Sequence, residues 1–418
     1  TKHFVIFFRL LNNIYCNKKG RKMKVILHSD VNNFFASVEC VTREELKDKP
    51  VAVTGNPEKR NGVILAKNDI AKKFGVKTGE VIWQAKQKCP DLVCLAPHYN
   101  LYEKISKELH DIYLDYTNFV EPLGLDECFL DVTNSLKYLK MTGEEIANEI
   151  RTRVKKEFGF TVSVGVSFSK IFAKLASDMK KPDATTVIPK EKFKEITYKL
   201  PLNSIVGIGG KLEKKFENMN ILTIGDFVNL DESIIKAIMG KTGFELQAKL
   251  KGELVEPVAC YYNLAPPKSI GNGTTTLRDI ERREEVEKTI ALLCEKIAMR
   301  MTRGKFEART IAVTIKTNEF EKFRHAKTIS PIKSYEKIFE SAMELVDSFW
   351  NYDKKIRAIR VRVSSLNKVE EYRQLSMFDD EKIKLTECVE EIKAKYGEDK
   401  IFIASTKNDF LNYDKFNS

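Results

Sequence analysis

Val120-Glu-Pro-Leu-Gly-Leu-Asp-Glu-Cys-Phe-Leu-Asp-Val-Thr133 is the stretch on which the reading of the whole chain turns. Two short apolar runs flank a turn carrying Gly124. At its exit stand two adjacent carboxylates, Asp126 and Glu127, followed by the alternation Cys128, Leu130, Val132. That pattern predicts a β-hairpin with acid at its tip. Neighbouring carboxylates repel, and each is expensive to bury unpaired, so such a pair faces water or holds a divalent ion. Taken alone, the stretch reads as a solvated turn.

A second acid upstream changes that reading. Val25-Ile-Leu-His-Ser-Asp-Val31 reads as a buried strand ending in Asp30, with Asn32 and Asn33 as helix N-cap candidates before Phe34-Phe35-Ala-Ser-Val-Glu39. If this strand lies beside the hairpin, three carboxylates converge at one sheet edge. Mg²⁺ takes oxygen ligands in octahedral geometry, and two such ions roughly 3.5–4 Å apart clamp the attacking and leaving oxygens of a phosphoryl transfer. The reaction class suggested is nucleotidyl transfer.

A chain of 418 residues suits three to five modules, and 43% hydrophobic with 31% charged residues describes a soluble globular protein with ample core. Net charge is +12, from 71 Lys plus Arg against 59 Asp plus Glu. With acids so abundant, the excess has meaning only where it is patterned, as a basic stripe facing a polyanion. The cysteines at 16, 40, 89, 94, 128, 260, 294 and 388 include no Cys-x-x-Cys pair, which reads as free thiols in a reducing cytosol. The histidines at 3, 28, 98, 110 and 325 show no metal spacing. No apolar run approaches the 18 or so residues of a membrane span. In residues 1–22 an apolar octet, Phe4 to Leu11, precedes Lys18, Lys19, Arg21 and Lys22, the inverse of a secretory signal. This segment reads as an extension without a role in function.

Along the chain, Val51 to Thr54 and Gly62 to Ala66 read as short strands, and Asn68 to Phe74 as a helix capped by Gly75, amid Lys59, Arg60, Lys67, Lys72, Lys73 and Lys77. Tyr102 to Phe119 and Ile146 to Phe158 are amphipathic helices, and Thr161 to Ser167 alternates as a strand. The order predicts a split βαβ, ferredoxin-like layer with helices on one face. Ser169 and Lys170 open the next helix, a ready anion site. Around Val206-Gly-Ile-Gly209, two short helices suggest a helix-hairpin-helix, in which Gly207 and Gly209 let backbone N–H groups approach DNA phosphates. Beyond the linker Ala265-Pro-Pro-Lys268, the strands Ile311 to Lys316 and Ile359 to Val363 and the helices Glu284 to Met301 and Tyr335 to Phe349 form a basic module, with 21 Lys plus Arg against 14 Asp plus Glu from Lys268 to Asn367. Arg360 and Arg362 alternate with Ile359, Val361 and Val363, so one sheet face is basic and suited to a duplex backbone. In the polar tail, Gln374-Leu375-Ser-Met377-Phe378 has the anchors of a linear docking peptide.

Taken together, Asp30 to Glu39, Val120 to Thr133 and Thr161 to Pro182 resemble a Y-family, lesion-bypass DNA polymerase of the DNA polymerase IV type, over about Met23 to Asn367. The resemblance implies an α+β multidomain right hand: an extension at 1–22, a ferredoxin-like palm at 23–32 and 97–187, small fingers at 33–96, a helix-hairpin-helix thumb at 188–257, a linker at 258–267, an α/β little finger at 268–367 and a tail at 368–418. It implies Asp30, Asp126 and Glu127 as catalytic carboxylates and, with the Val31 carbonyl, as ligands of two Mg²⁺ per active site. It further implies nucleotide contacts from Phe34, Phe35, Lys72 and Lys170, with Phe35 as the steric gate against a ribose 2′-OH and Lys170 on the triphosphate. DNA contacts fall to Gly207, Gly209, Arg360 and Arg362. The tail peptide Gln374, Leu375, Met377 and Phe378 is implied to bind the replication sliding clamp.

Three positions depart from the family pattern: Lys72 stands where an arginine is usual, Asp69 where many members place a tyrosine, and Asn32 where an acid is usual. The expected partners are primer-template DNA, dNTP and the clamp. The expected enzyme is a bacterial, cytoplasmic, nucleoid-associated monomer, without membrane contact, that performs low-fidelity translesion synthesis. Two other readings compete: a catalytically silent DNA-binding subunit of the same fold, and a nucleotide cyclase on a similar palm.

Overall fold

The computed structural model describes residues 23–56, 62–368 and 392. Residues 1–22 and the Gln374–Phe378 peptide lie outside the described residues. The chain divides into two units, one of residues 1–53 and 64–264, the other of residues 54–63 and 265–418. Among the described residues no helix is long and apolar enough to cross a membrane.

In the first unit β1 (Ile26–Val31) is followed by α1 (Phe34–Thr42), β2 (Val51–Thr54), β3 (Ile64–Lys67), α2 (Asp69–Lys73), α3 (Ile82–Lys88) and β4 (Val93–Leu95). Then come α4 (Tyr99–Leu114), β5 (Val120–Pro122), β6 (Glu127–Asp131), α5 (Leu136–Leu139), α6 (Gly143–Phe158), β7 (Val162–Ser167), α7 (Lys170–Met179) and β8 (Thr185–Ile188). The main sheet has the order β5-β6-β1-β7-β8, and a smaller one β3-β2-β4.

β1 is central and buried along its whole length on both faces. Leu27 packs with Tyr102, Leu109, Ile146 and Ile150 of α4 and α6 on one side. Ile26 packs with Phe129 and with Ala173 of α7 on the other. Helices therefore cover both faces, whereas the sequence predicts one covered face. The second face closes because β7 carries Gly165: a Cβ there would stand 1.9 Å from the Ala173 carbonyl oxygen. Only a residue without a side chain lets α7 lie so close.

The remainder of this unit is helical: α8 (Phe193–Thr197), α9 (Gly210–Glu217), α10 (Ile224–Val228), α11 (Glu232–Met239) and α12 (Lys241–Leu250) around Phe216, Phe227 and Ile235. The expected pair of helices about residues 206–209 is present only in its second half. A single 3₁₀ turn, Leu202–Ser204, precedes the loop, and α9 opens at Gly210. Gly207 has φ +100°, a conformation that suits glycine and leaves the chain no helical continuation there.

The second unit holds β9 (Ser269–Ile280), α13 (Arg283–Gly304), β10 (Phe306–Thr317), β11 (Lys322–Ile332), α14 (Tyr335–Phe349) and β12 (Ile356–Lys368). Its sheet order is β11-β10-β12-β9. Val286, Ile290 and Ile297 of α13 and Ile338, Ala342 and Val346 of α14 pack on one sheet face, against Ile311, Val313, Ile359, Val361 and Val363. The opposite face carries the exposed Arg360 and Arg362.

Candidate active site

The hairpin forms as the sequence predicts. β5 and β6 pair antiparallel from Val120–Leu130 to Pro122–Cys128. Gly124 takes φ +122° in the turn between them, and Asp126 sits at the turn's exit. β1 then lies against β6 with Asp30 directly opposite Glu127. The Val31 N–H donates to the Asp126 carbonyl at 3.0 Å, so the tip is tied to the end of β1. Strand alternation puts His28 and Asp30 of β1, and Glu127 and Phe129 of β6, on the face covered by α7. Like charges directly opposite one another destabilise a sheet, so this arrangement needs counter-charges.

Lysines supply them. Lys181 Nζ lies 2.9 Å from Asp30 Oδ2 and 2.8 Å from Asp178 Oδ1, and Lys174 Nζ lies 2.6 Å from Glu127 Oε2. Lys170 Nζ lies 2.5 Å from Glu121 Oε2. The three ammonium groups of α7 and the residues just after it thus meet a carboxylate on each of three adjacent strands, β5, β6 and β1. Lys170 is engaged within the protein. Its ammonium pairs with Glu121 and stands over the Phe129 ring at 5.5 Å. The lysine beside Asp30 is Lys181, eleven residues later, which no pattern in the sequence singles out. Helical spacing from Lys170 to Lys174 is a visible signal, but it names no partner.

Burial pushes the Asp30 carboxyl up to about 7, with Glu127 adding to the rise and Lys181 opposing it. Burial likewise raises Asp126, with a further contribution from Glu127. His28, beneath Glu127, is held down to about 2 by burial and by the charges of Lys174 and Lys181. It is therefore a neutral wall: its Nδ1 is 2.8 Å from Ser177 Oγ, and its ring lies 4.7 Å from Phe129. Lys181 is raised: burial pulls it down, but its bonds to Asp178 and Asp30 outweigh that.

As the side chains stand, no three His, Cys, Asp or Glu among the described residues are gathered around one point as an ion requires. Asp30 leans to Lys181 and Glu127 to Lys174. The donors nonetheless fit a hard divalent cation: all are carboxylate oxygens, two of them are buried enough to resist ionising, and ammonium groups already stand against Asp30 and Glu127. Asn32 takes no part. It is buried, its amide donating to Thr161 Oγ1 and its Oδ1 accepting from Ser163 Oγ, both at 3.0 Å.

A cleft of about 240 Å³ opens beside the acids, lined by Asp30, Val31, Asn33, Phe34, Phe35 and Asp126 on one side and by Leu65, Ala66, Lys67 and Thr78 on the other. Phe35 is braced from behind. It stacks on Tyr102 at 4.3 Å and 11°, and the Tyr102 hydroxyl donates to the buried Glu39 at 2.5 Å. Glu39 is also 2.7 Å from His98 Nδ1 and 3.3 Å from Arg43. Lys67, at the opposite wall, donates to Thr78 at 3.1 Å, and burial together with the charge of Lys72 lowers its pKa. Lys72 is exposed and does not line the cleft. Asp69 accepts from the Asn33 amide at 3.0 Å.

In the second unit Arg360 and Arg362 stand opposite Gly273 and Gly271 of β9. A Cβ at either glycine would come within 3.0–3.1 Å of an arginine Cβ, so the glycines make room for the arginine stems.

The family described as impB/mucB/samB matches residues 29–178, and its C-terminal domain matches residues 267–377. A curated protein named DNA polymerase IV from Acetivibrio thermocellus is 44% identical over 380 residues, 90% of this chain and 95% of that protein. Another of that name, from Bacillus velezensis, is 32% identical over 389 residues, 91% of this chain and 92% of that protein. Among solved structures, a chimeric Y-family DNA polymerase is similar with a TM-score of 0.74 over 82% of this chain and 100% of that one, at 24% identity, a likeness of fold.

Proposed function

The chain belongs to the Y-family DNA polymerases of the DNA polymerase IV type, enzymes of translesion DNA synthesis, and we propose that Asp30, Asp126 and Glu127 carry its nucleotidyl transfer. The observation that supports the assignment is the register that sets Asp30 opposite Glu127, with Asp126 tied to Val31 beside them. Divalent metal dependence belongs to the family; the finer reading is two Mg²⁺ held by Asp30, Asp126, Glu127 and the Val31 carbonyl. When bound, such ions lower the pKa of the primer 3′-OH and neutralise charge on the leaving pyrophosphate.

This chain's own residues do the rest. Asp30 would release Lys181 to hold a divalent cation, while Glu127 would hold one through the carboxylate oxygen that Lys174 leaves open. Lys170 reaches the triphosphate, and Lys181, which keeps Asp178 as a second partner, turns its ammonium to the triphosphate as well. Phe34 and Phe35 floor the nucleotide cleft, and Phe35, braced by Tyr102, fills the space of a ribose 2′-OH. Lys67 gives the far wall positive charge, and Lys72 meets the nucleotide from outside the cleft. Gly207, Gly209, Arg360 and Arg362 meet the DNA backbone, and Gln374, Leu375, Met377 and Phe378 dock on the sliding clamp. The enzyme works as a monomer on the bacterial nucleoid.

Primer extension tests the assignment. Asp126→Ala or Glu127→Ala should lose extension by at least about 10³-fold with the fold intact, as expected where a charge-stabilising group of the transition state is removed. Unchanged extension would overturn it and leave the silent DNA-binding reading. In the same assay, ribonucleotide uptake by Phe35→Ala reads the gate, and loss of clamp stimulation alone on replacing Leu375 and Phe378 by Ala reads the tail.

A further inference from the structure

Of the two lysines on the catalytic carboxylates, one has room to move and the other does not. Lys181 lies beyond the C-terminal end of α7, its side chain 31% exposed, and it has Asp178 to return to when it leaves Asp30. Lys174 is in the middle of α7, its side chain only 13% exposed, and its ammonium lies against Glu127. The helix beneath it is seated on β7 at the closest approach that Gly165 permits. The stem of Lys174 therefore has little freedom, and its charge is a fixed part of the site. That charge reaches past Glu127: it also opposes the rise of Asp126 and helps to keep His28 neutral.

A fixed positive charge at a cluster of acids does two things. It holds the carboxylate it touches in one orientation, and it repels a second cation approaching the same oxygens. Glu127 Oε2 is occupied by Lys174, which leaves Oε1 as the oxygen for any other cation. We propose that Lys174 is a resident counter-ion of Glu127, a positioning residue that fixes this carboxylate and keeps the acid cluster from taking up a divalent ion before DNA and nucleotide bring further ligands. The inference rests on the reading of Asp30, Asp126 and Glu127 as cation ligands, and it adds how cation uptake is made dependent on substrate.

The test is Mn²⁺ binding to the full chain without DNA or nucleotide, followed by electron paramagnetic resonance of the free ion. Lys174→Met keeps the stem and removes the charge, and should bind Mn²⁺ about tenfold more tightly than the wild type. Lys174→Arg keeps the charge and should stay within about twofold. In a Glu127→Gln background the effect of Lys174→Met should fall below about twofold, because the charge acts through that carboxylate. If Lys174→Met does not fold, as judged by circular dichroism, Lys174→Gln takes its place. Mn²⁺ binding by the neutral variant no tighter than by the wild type overturns the proposal. Equal Mn²⁺ binding by Lys174→Met and by Lys174→Met with Glu127→Gln would instead remove Glu127 as a cation ligand, and the proposal with it.

Discussion

Asp30 bears two opposed demands. As the proposed cation ligand it must be ionised, yet it is buried, and burial with Glu127 opposite lifts its pKa from an ordinary 3.8 to about 7. A carboxyl raised on folding favours the native state in its protonated form. That contribution is complete below about pH 4 and is lost as pH rises through 7. Metal-free protein should thus lose stability over this window on account of Asp30, and Asp30→Asn should remove that part of the pH dependence. By calorimetry, Asp30→Asn should melt above the wild type at pH 8 while being unable to extend a primer. Melting below the wild type at pH 8 would mean that the bond to Lys181 outweighs the cost of burial. Asp30, Asp126 and Glu127 were legible from sequence because each follows from strand alternation and one turn, which are local rules. Lys174 and Lys181 were not, since no spacing rule joins a lysine to a carboxylate 47 residues away, as for Lys174 and Glu127.

At the scale of elements, α7 is the piece that makes the site. It brings lysines to three strands, and it closes a sheet face that the pattern of strands and helices left uncovered. Its seat depends on Gly165, where a Cβ would meet backbone atoms of Ala173 and Ser177 at 1.9 and 2.5 Å. Backbone cannot yield as a side-chain tip can, so Gly165→Ala should destabilise this unit by about 3 kcal/mol, through displaced packing. Tm should fall by roughly 5–10 °C, and extension should fall with it, since Lys174 rides on the displaced helix and Lys181 follows its C-terminal end. An unchanged Tm would show that α7 has room to shift. A glycine inside an alternating strand is visible in Thr161 to Ser167, but its cause, a helix backbone on one face, is a tertiary fact.

For the molecule as a whole, charge rather than shape links sequence to substrate. The net +12 is unevenly spread, and the second unit's open sheet face collects Arg360 and Arg362, with Lys316, Lys322 and Arg324 on the same side by strand register. Removing one cationic side chain from a DNA phosphate lowers the salt dependence of binding by about one unit of slope. Replacing both Arg360 and Arg362 by Ala should therefore weaken duplex binding across all sequences and reduce the slope of log K against log salt by about two. Weaker binding with an unchanged slope would mean that these arginines act through packing, for which the bond from Arg362 to Ser269 at 2.7 Å is the evident route.

The amino-acid sequence by itself determined the acidic hairpin, the place of its carboxylates and the basic strand, because each is written in a period of two residues and in turn chemistry that act over a few positions, and it carries the motifs by which the chain resembles its family. Tertiary structure alone decided which lysine serves which acid, that Phe35 leans on Tyr102, itself held by Glu39, that Asn32 is spent on Thr161 and Ser163, and that both sheet faces are covered. Those outcomes depend on which surfaces meet when distant segments pack. Lys170 shows the difference in one residue: its place at the start of a helix was readable, but the carboxylate of Glu121 that its ammonium reaches was not.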